Sequence, residues 1–305
     1  MTLHIETALI ESRPLSRASG SRVWLKLDAL QPSGSFKTRG IGFACETYFR
    51  RGARRFVSSS GGNAGLAVAF AGRALSVPVT VVVPETTSMR ARELLAQENA
   101  EVVVRGTSWQ EANAHAQSLL EASDAFIHPF DDPLVWEGHS TLIDEIARRG
   151  HEPGAVVLSV GGGGLLCGVA EGLRRHGWDD VPIFAVETEG AASFHAAIEA
   201  GQPVELERLT SIATSLGAKR VCDRAVEWSK ERPIHSLLVS DRSALAACER
   251  FLLDHRMLVE PACGASLAPL YEKVIEWSRF RNVLVEVCGG ATVTIDQIRQ
   301  WSAKC

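Results

Sequence analysis

The sequence predicts an α/β protein with parallel sheets covered by helices on both faces. Strand-length runs rich in Val, Ile and Leu alternate along the chain with stretches of helical periodicity. Two of those runs pass through glycine-rich junctions into helical stretches, as ligand-binding α/β units do. At 305 residues the chain is long enough to divide its core between two lobes.

Strands are expected at Val23–Leu27, Phe56–Ser58, Val77–Val83, Glu101–Val104, Ala155–Val160, Ile183–Glu187, Ser236–Val239 and Val283–Cys288, each a run of strand length. Helices are expected at Thr38–Arg50, Ala64–Leu75, Ser108–Ala122, Thr141–Arg149, Asp241–Leu253, Ala265–Ser278 and Thr292–Trp301. No low-complexity linker divides the chain, so a second lobe must be an insertion. Residues 40–137 form the expected small inserted domain, and residues 1–39 with 138–305 the large one.

Composition excludes several classes of function. With 46% hydrophobic and 22% charged residues the chain is globular, and no apolar run reaches the roughly 18 residues of a membrane span. The start, Met1-Thr2-Leu3-His4, lacks the basic and apolar pattern of a secretory signal. A net charge of −4 argues against a nucleic-acid partner. Seven cysteines (45, 167, 222, 248, 263, 288 and 305) contain no C-x-x-C pair, which suggests reduced thiols in the cytoplasm.

Four motifs bear on chemistry. In Ser33-Gly34-Ser35-Phe36-Lys37-Thr38-Arg39-Gly40 the lysine opens a helix, but Phe36 replaces the glycine a P-loop needs. The positive helix end disfavours an ammonium there and favours a nucleophilic amine. Taken alone, a surface lysine in a polar turn is the better reading. In Ser58-Ser59-Ser60-Gly61-Gly62-Asn63-Ala64-Gly65 a strand enters a helix through small residues, which is either an anion site or a capped βα turn. In Ser159-Val160-Gly161-Gly162-Gly163-Gly164-Leu165-Leu166-Cys167-Gly168 the glycine spacing fails the dinucleotide pattern. Four glycines cost so much chain entropy that close wrapping of a phosphate explains them better than a mere turn. Finally, Cys288 ends a buried strand before Gly289-Gly290, the position of either a ligand contact or a packed core thiol. Two anion cradles, one for a cofactor phosphate and one for a substrate carboxylate, together with a candidate Schiff-base lysine, suit pyridoxal phosphate.

These motifs, with Pro129-Phe130-Asp131-Asp132-Pro133-Leu134-Val135-Trp136-Glu137-Gly138-His139-Ser140, Glu187-Thr188-Glu189-Gly190-Ala191 and Val259-Glu260-Pro261-Ala262-Cys263-Gly264-Ala265, resemble the serine/threonine dehydratase family over nearly the whole chain. These are two-lobed fold-type II pyridoxal-phosphate enzymes of the tryptophan-synthase β-like group, and the similarity is to their single-domain serine dehydratases. The resemblance implies that Lys37 holds the cofactor and then takes the α-proton. It implies that Gly161, Gly162, Gly163 and Gly164 bind the phosphate and that Asn63 meets the phenolic oxygen. Phe36 and Ser215 would flank the ring, and Cys288, with Gly289, would face its nitrogen. Ser60, Gly61, Asn63 and Ala64 would receive the substrate carboxylate. A weakly donating thiol at the ring nitrogen favours loss of the β-hydroxyl, with the cofactor phosphate as its acid.

A monovalent cation such as K+ is implied at Gly161, Glu187, Ala191, Leu216 and Ala218, with an ordinary strand-end ion pair the other reading of Glu187. The expected activity is L-serine, and also L-threonine, ammonia-lyase, giving pyruvate or 2-oxobutanoate, in a cytoplasmic homodimer. Another β-hydroxy amino acid dehydratase, a β-replacement synthase and a non-catalytic ligand-binding homologue are the alternatives. Gly61 stands where racemases of this fold carry serine, so little racemisation is expected. The chain's end shortly after the last helix candidate leads to the expectation of activity without isoleucine feedback.

Overall fold

A computed structural model describes residues 2–304. The chain divides into two compact units, one of residues 1–5 and 31–139 and one of residues 6–30 and 140–305. The smaller unit is wider than the insertion expected at 40–137. It takes in residues 31–39, whose turn carries Lys37.

The chain starts the larger unit with β1 (Leu9–Glu11), α1 (Arg13–Ser19) and β2 (Val23–Lys26). It then builds the smaller unit from α2 (Lys37–Arg50), β3 (Arg55–Ser58), α3 (Asn63–Leu75), β4 (Val79–Val83), α4 (Met89–Gln97), β5 (Glu101–Val104), α5 (Trp109–Ser118) and β6 (Asp124–Phe126). The division between units falls inside α6 (Pro133–Arg148). The larger unit resumes with β7 (Val156–Ser159), α7 (Gly164–Arg175), β8 (Ile183–Thr188), α8 (Ser193–Ala200), α9 (Asp223–Glu231), β9 (Ile234–Val239), α10 (Asp241–His255), α11 (Pro261–Glu272), β10 (Val283–Glu286) and α12 (Ile295–Ser302).

The smaller sheet, ordered β5-β4-β3-β6, is parallel throughout. The larger, ordered β1-β2-β10-β7-β8-β9, is parallel except for the antiparallel edge strand β1. Every residue of β4, β7, β8 and β10 is buried, which is why these strands read as continuous apolar runs rather than alternating ones. In such sheets ligands collect beyond the carboxyl ends of the strands. The loops after β3, β7, β8 and β10 carry most of the residues singled out by sequence.

Candidate active site

In the smaller unit Gln31-Pro32-Ser33-Gly34 forms a turn closed by the Gly34 N–H donating to the Gln31 carbonyl at 2.7 Å, with Gly34 at φ 76°. Ser33 Oγ and Thr38 Oγ1 lie 2.7 Å apart, and Thr38 also donates to the Ser35 carbonyl at 3.3 Å, tying the turn to the first turn of α2. Lys37 opens that helix, which has no side-chain cap. Its half-buried Nζ donates to the Pro129 carbonyl at 2.6 Å and stands 5.0 Å from the Phe36 ring centroid. Phe36 packs on His139, with ring centroids 4.9 Å apart. His139 is fully buried with no hydrogen bond to either ring nitrogen among the described residues, and burial and then the Lys37 charge keep it neutral.

The second motif continues β3 into α3. No side chain caps α3, so the N–H groups of its first turn point outward, with the positive end of the helix dipole behind them. Ser59 donates to Asn113 Oδ1 at 2.8 Å, and the Gly62 N–H reaches Ser60 Oγ at 3.4 Å, which shapes the loop around an open centre. Asn63 is buried at the helix start. A Cβ on Gly61 would come within 2.7 Å of the Thr87 side chain, so Thr87 fills the space that a residue-61 side chain would enter.

In the larger unit the glycine run bridges β7 and α7. Gly163 sits at φ 94°, in the left-handed region, and a Cβ there would lie 2.9 Å from Ala225 and Val221 and 3.0 Å from Cys222 Sγ. A Cβ on Gly161 would lie 3.1 Å from Leu216 Cα and 3.2 Å from the Ser215 carbonyl oxygen. Glycine is therefore required at 163 by its left-handed backbone and the side chains around it, and favoured at 161 by close backbone approach. The N-terminus of α7 is likewise uncapped. The segment bearing Ser215 is anchored by Ser211, whose Oγ donates to Asp241 Oδ1 at 2.5 Å and accepts from Thr188 Oγ1 at 2.8 Å. Ser215 itself is exposed on a short turn, Thr214–Leu216.

Cys288 follows β10 and is 5% exposed. A hydrogen bond with Cys263 and then burial hold its thiol well above the ordinary range, so it is protonated. Cys263 lies in the first turn of α11, and the Glu260 N–H just before that helix donates to the Gly289 carbonyl at 3.3 Å. All six described cysteines are free and buried; Cys305 lies outside the described residues.

Glu187 near the end of β8 caps α8. Its two oxygens accept the Phe194 and His195 N–H groups at 2.8 and 2.7 Å, while burial raises its carboxyl to about 8. The Leu216 carbonyl accepts the Ala218 N–H at 2.7 Å, and the Ala191 N–H bonds the Thr188 carbonyl. No cluster of three or more His, Cys, Asp or Glu that could hold a metal occurs among the described residues.

Within the smaller unit the structure brings Phe36 and Lys37 to the Pro129 turn and places Ser60, Gly61, Asn63 and Ala64 together at the start of α3. Within the larger it brings Gly161 against Ser215 and Leu216 and sets the tetraglycine, Glu187 and Cys288 at the same ends of adjacent strands β7, β8 and β10. Sequence reasoning gave no role to His139 or Cys263, although both lie within its motifs, and it passed over His128. His128 directly precedes the Pro129–Ser140 run, so proximity to a motif was the available signal.

A half-buried primary amine, an uncapped glycine cradle that a Cβ would obstruct and a protonated thiol are a donor set that fits pyridoxal phosphate. Lys26, by contrast, is buried against Glu145 and the Thr7 carbonyl and cannot serve as the reactive amine. The chain matches the family of pyridoxal-phosphate-dependent enzymes over residues 1–289 and belongs to it, with the fold-type II architecture. Within that class it falls among the serine/threonine dehydratases. It is 47% identical to human L-serine dehydratase/L-threonine deaminase, covering 97% of this chain and 94% of the relative. It is 48% identical to mouse serine dehydratase-like, covering 97% and 93%. A fungal L-serine ammonia-lyase from Rhizomucor miehei superposes with a TM-score of 0.95 at 35% identity, covering 100% and 99%.

Proposed function

We propose that the protein is an L-serine ammonia-lyase that also accepts L-threonine, releasing ammonia and pyruvate or 2-oxobutanoate. The observation that carries this reading is the protonated thiol of Cys288 at the end of β10. A thiol donates only weakly, so it leaves a facing ring nitrogen without a proton and favours β-elimination over chemistry that needs a fully delocalised carbanion. Bound pyridoxal phosphate supplies the electron sink for the pair left at the substrate's α-carbon.

The chain's own groups have distinct tasks. Lys37 Nζ holds the cofactor and takes the α-proton once free, parked meanwhile on the Pro129 carbonyl. The backbone N–H groups of Gly161–Gly164 and the α7 dipole bind the phosphate, while Asn63 holds the phenolic oxygen and Phe36 and Ser215 flank the ring. Ser60, Gly61, Asn63 and Ala64 hold the substrate carboxylate. Gly61, without a side chain, offers no proton donor of its own for the opposite face, which supports low racemisation.

A monovalent cation at Glu187 and the carbonyls of Gly161, Ala191, Leu216 and Ala218 would brace the segment behind the glycine loop. A cytoplasmic homodimer completes the proposal, its location supported by the free thiols. The test is a keto-acid assay over a panel of β-hydroxy amino acids with wild-type and Lys37→Ala protein. Wild type should form pyruvate from L-serine, and the variant should lose about a thousandfold. Product that forms only when a thiol is added would point to a β-replacement synthase, and binding without turnover to a non-catalytic homologue.

A further inference from the structure

His128 has no part in the chemistry above, yet its ring is fixed with unusual completeness. Its Nδ1 accepts the Asp131 N–H at 2.7 Å and the Phe130 N–H at 3.3 Å. A nitrogen that accepts carries no proton, so the ring is the neutral tautomer with hydrogen on Nε2. Phe130 packs edge-on at 4.7 Å and Phe126 at 6.3 Å, which leaves the imidazole little freedom to turn. The far side of the turn is held as well, because Trp136 Nε1 donates to the Phe130 carbonyl at 2.7 Å. Enclosed by these contacts, Pro129 presents its carbonyl to Lys37 Nζ at 2.6 Å.

We propose that His128 is a positioning residue for Lys37, its imidazole clamping the 128–131 turn so that the Pro129 carbonyl receives the lysine amine whenever that amine is free. The proposal rests on Lys37 being the cofactor lysine. A lysine stem carries about 2 kcal/mol of rotamer entropy, so a fixed acceptor decides where the free amine waits. Burial and then the nearby Lys37 charge lower His128 to about 4, opposed by Asp132, so the clamp stays intact through neutral pH. The clamp needs an acceptor two to three residues before the N–H groups it holds. Asparagine supplies that acceptor in Asx turns, whereas leucine does not.

The test compares His128→Asn, His128→Leu and Lys37→Ala with wild type. Cofactor-free protein is mixed with pyridoxal phosphate and the growth of the lysine-bound absorbance band is timed; kcat and KM for L-serine are measured on the loaded enzymes. His128→Leu should slow the band and lower kcat about tenfold, with KM within about twofold, because the substrate cradle is untouched. His128→Asn should restore both to within about threefold. Asparagine no better than leucine, or leucine equal to wild type, overturns the proposal. Should His128→Leu fail to fold, the nitrogen NMR spectrum of the unaltered protein decides instead. A proton on Nε2 at neutral pH supports the clamp, and a proton on Nδ1 refutes it. A band that persists in Lys37→Ala would instead remove the cofactor-lysine assignment.

Discussion

The loop after β3 and the loop after β7 solve the same problem with opposite means. Both lead from a buried parallel strand into a helix with no side-chain cap, so both offer N–H groups to an anion. The first keeps its side chains: Ser59, Ser60 and Asn63 remain beside two glycines. The second has shed them. At Gly161 and Gly163 a Cβ would press on neighbouring backbone or side chains; in the first loop Thr87 blocks Gly61 in the same way, while at Gly62 a Cβ would meet nothing within 4 Å. The loop proposed to receive the substrate carboxylate retains adjustable hydroxyls and an amide. The loop proposed to hold the phosphate offers backbone alone, and at Gly163 the left-handed backbone beside Ala225, Val221 and Cys222 leaves no room for a side chain.

The largest expected effect follows from that tightness. Gly163→Ala places a Cβ in the left-handed region and against Ala225, Val221 and Cys222. It should cost about 2–4 kcal/mol in chemical denaturation. Cofactor affinity, followed by fluorescence titration, should fall about a hundredfold, the equivalent of about one charge-assisted hydrogen bond. Asn63→Ala deletes a single side-chain partner in the other loop and should lower kcat/KM for L-serine about thirtyfold with the fold intact.

A smaller effect concerns Glu187. Its folded carboxyl titrates near 8 against an ordinary 4.5, so between those values the native state holds a proton that the unfolded chain has lost. Stability from this group is therefore complete below pH 4.5 and declines as pH rises through 8. A bound cation keeps the carboxylate ionised and removes that decline. The gain in melting temperature from K+ over tetramethylammonium should then grow from pH 6 to pH 8.5, and a gain independent of pH would argue against Glu187 as a ligand. Least of all, Gly62→Ala, at φ −107° in open space, should change stability by no more than about 0.5 kcal/mol. A large loss there would erase the contrast between the loops.

How far the sequence revealed this arrangement depended on whether a feature was local. The runs at 156–159 and 183–188 were legible because full burial makes a parallel strand apolar throughout. Three-residue strands β1 and β6 are too short to show a period, and α1, α4, α8 and α9 also escaped notice. Helix α6 starts at Pro133 rather than Thr141, because proline at the first helical position and Asp132, which accepts the Leu134 N–H at 2.8 Å, turn an apparent loop into a helix start. Pro261 similarly opens α11 four residues before the expected Ala265. The glycine run and the Asn63 loop were visible as motifs. The influence of Cys263 on the Cys288 thiol was not, since it links a helix start to a strand end 25 residues away. Nor were the bonds from the Phe130 and Asp131 N–H groups to His128 Nδ1, which exist only once the 128–131 turn has formed.

The central claim is that Lys37 carries the cofactor. Borohydride reduction of the enzyme loaded with pyridoxal phosphate, followed by peptide mass mapping, tests it most directly. The account predicts a single pyridoxyl adduct on the peptide containing Phe36-Lys37; an adduct on Lys26 or Lys219, or none after loading, would contradict it.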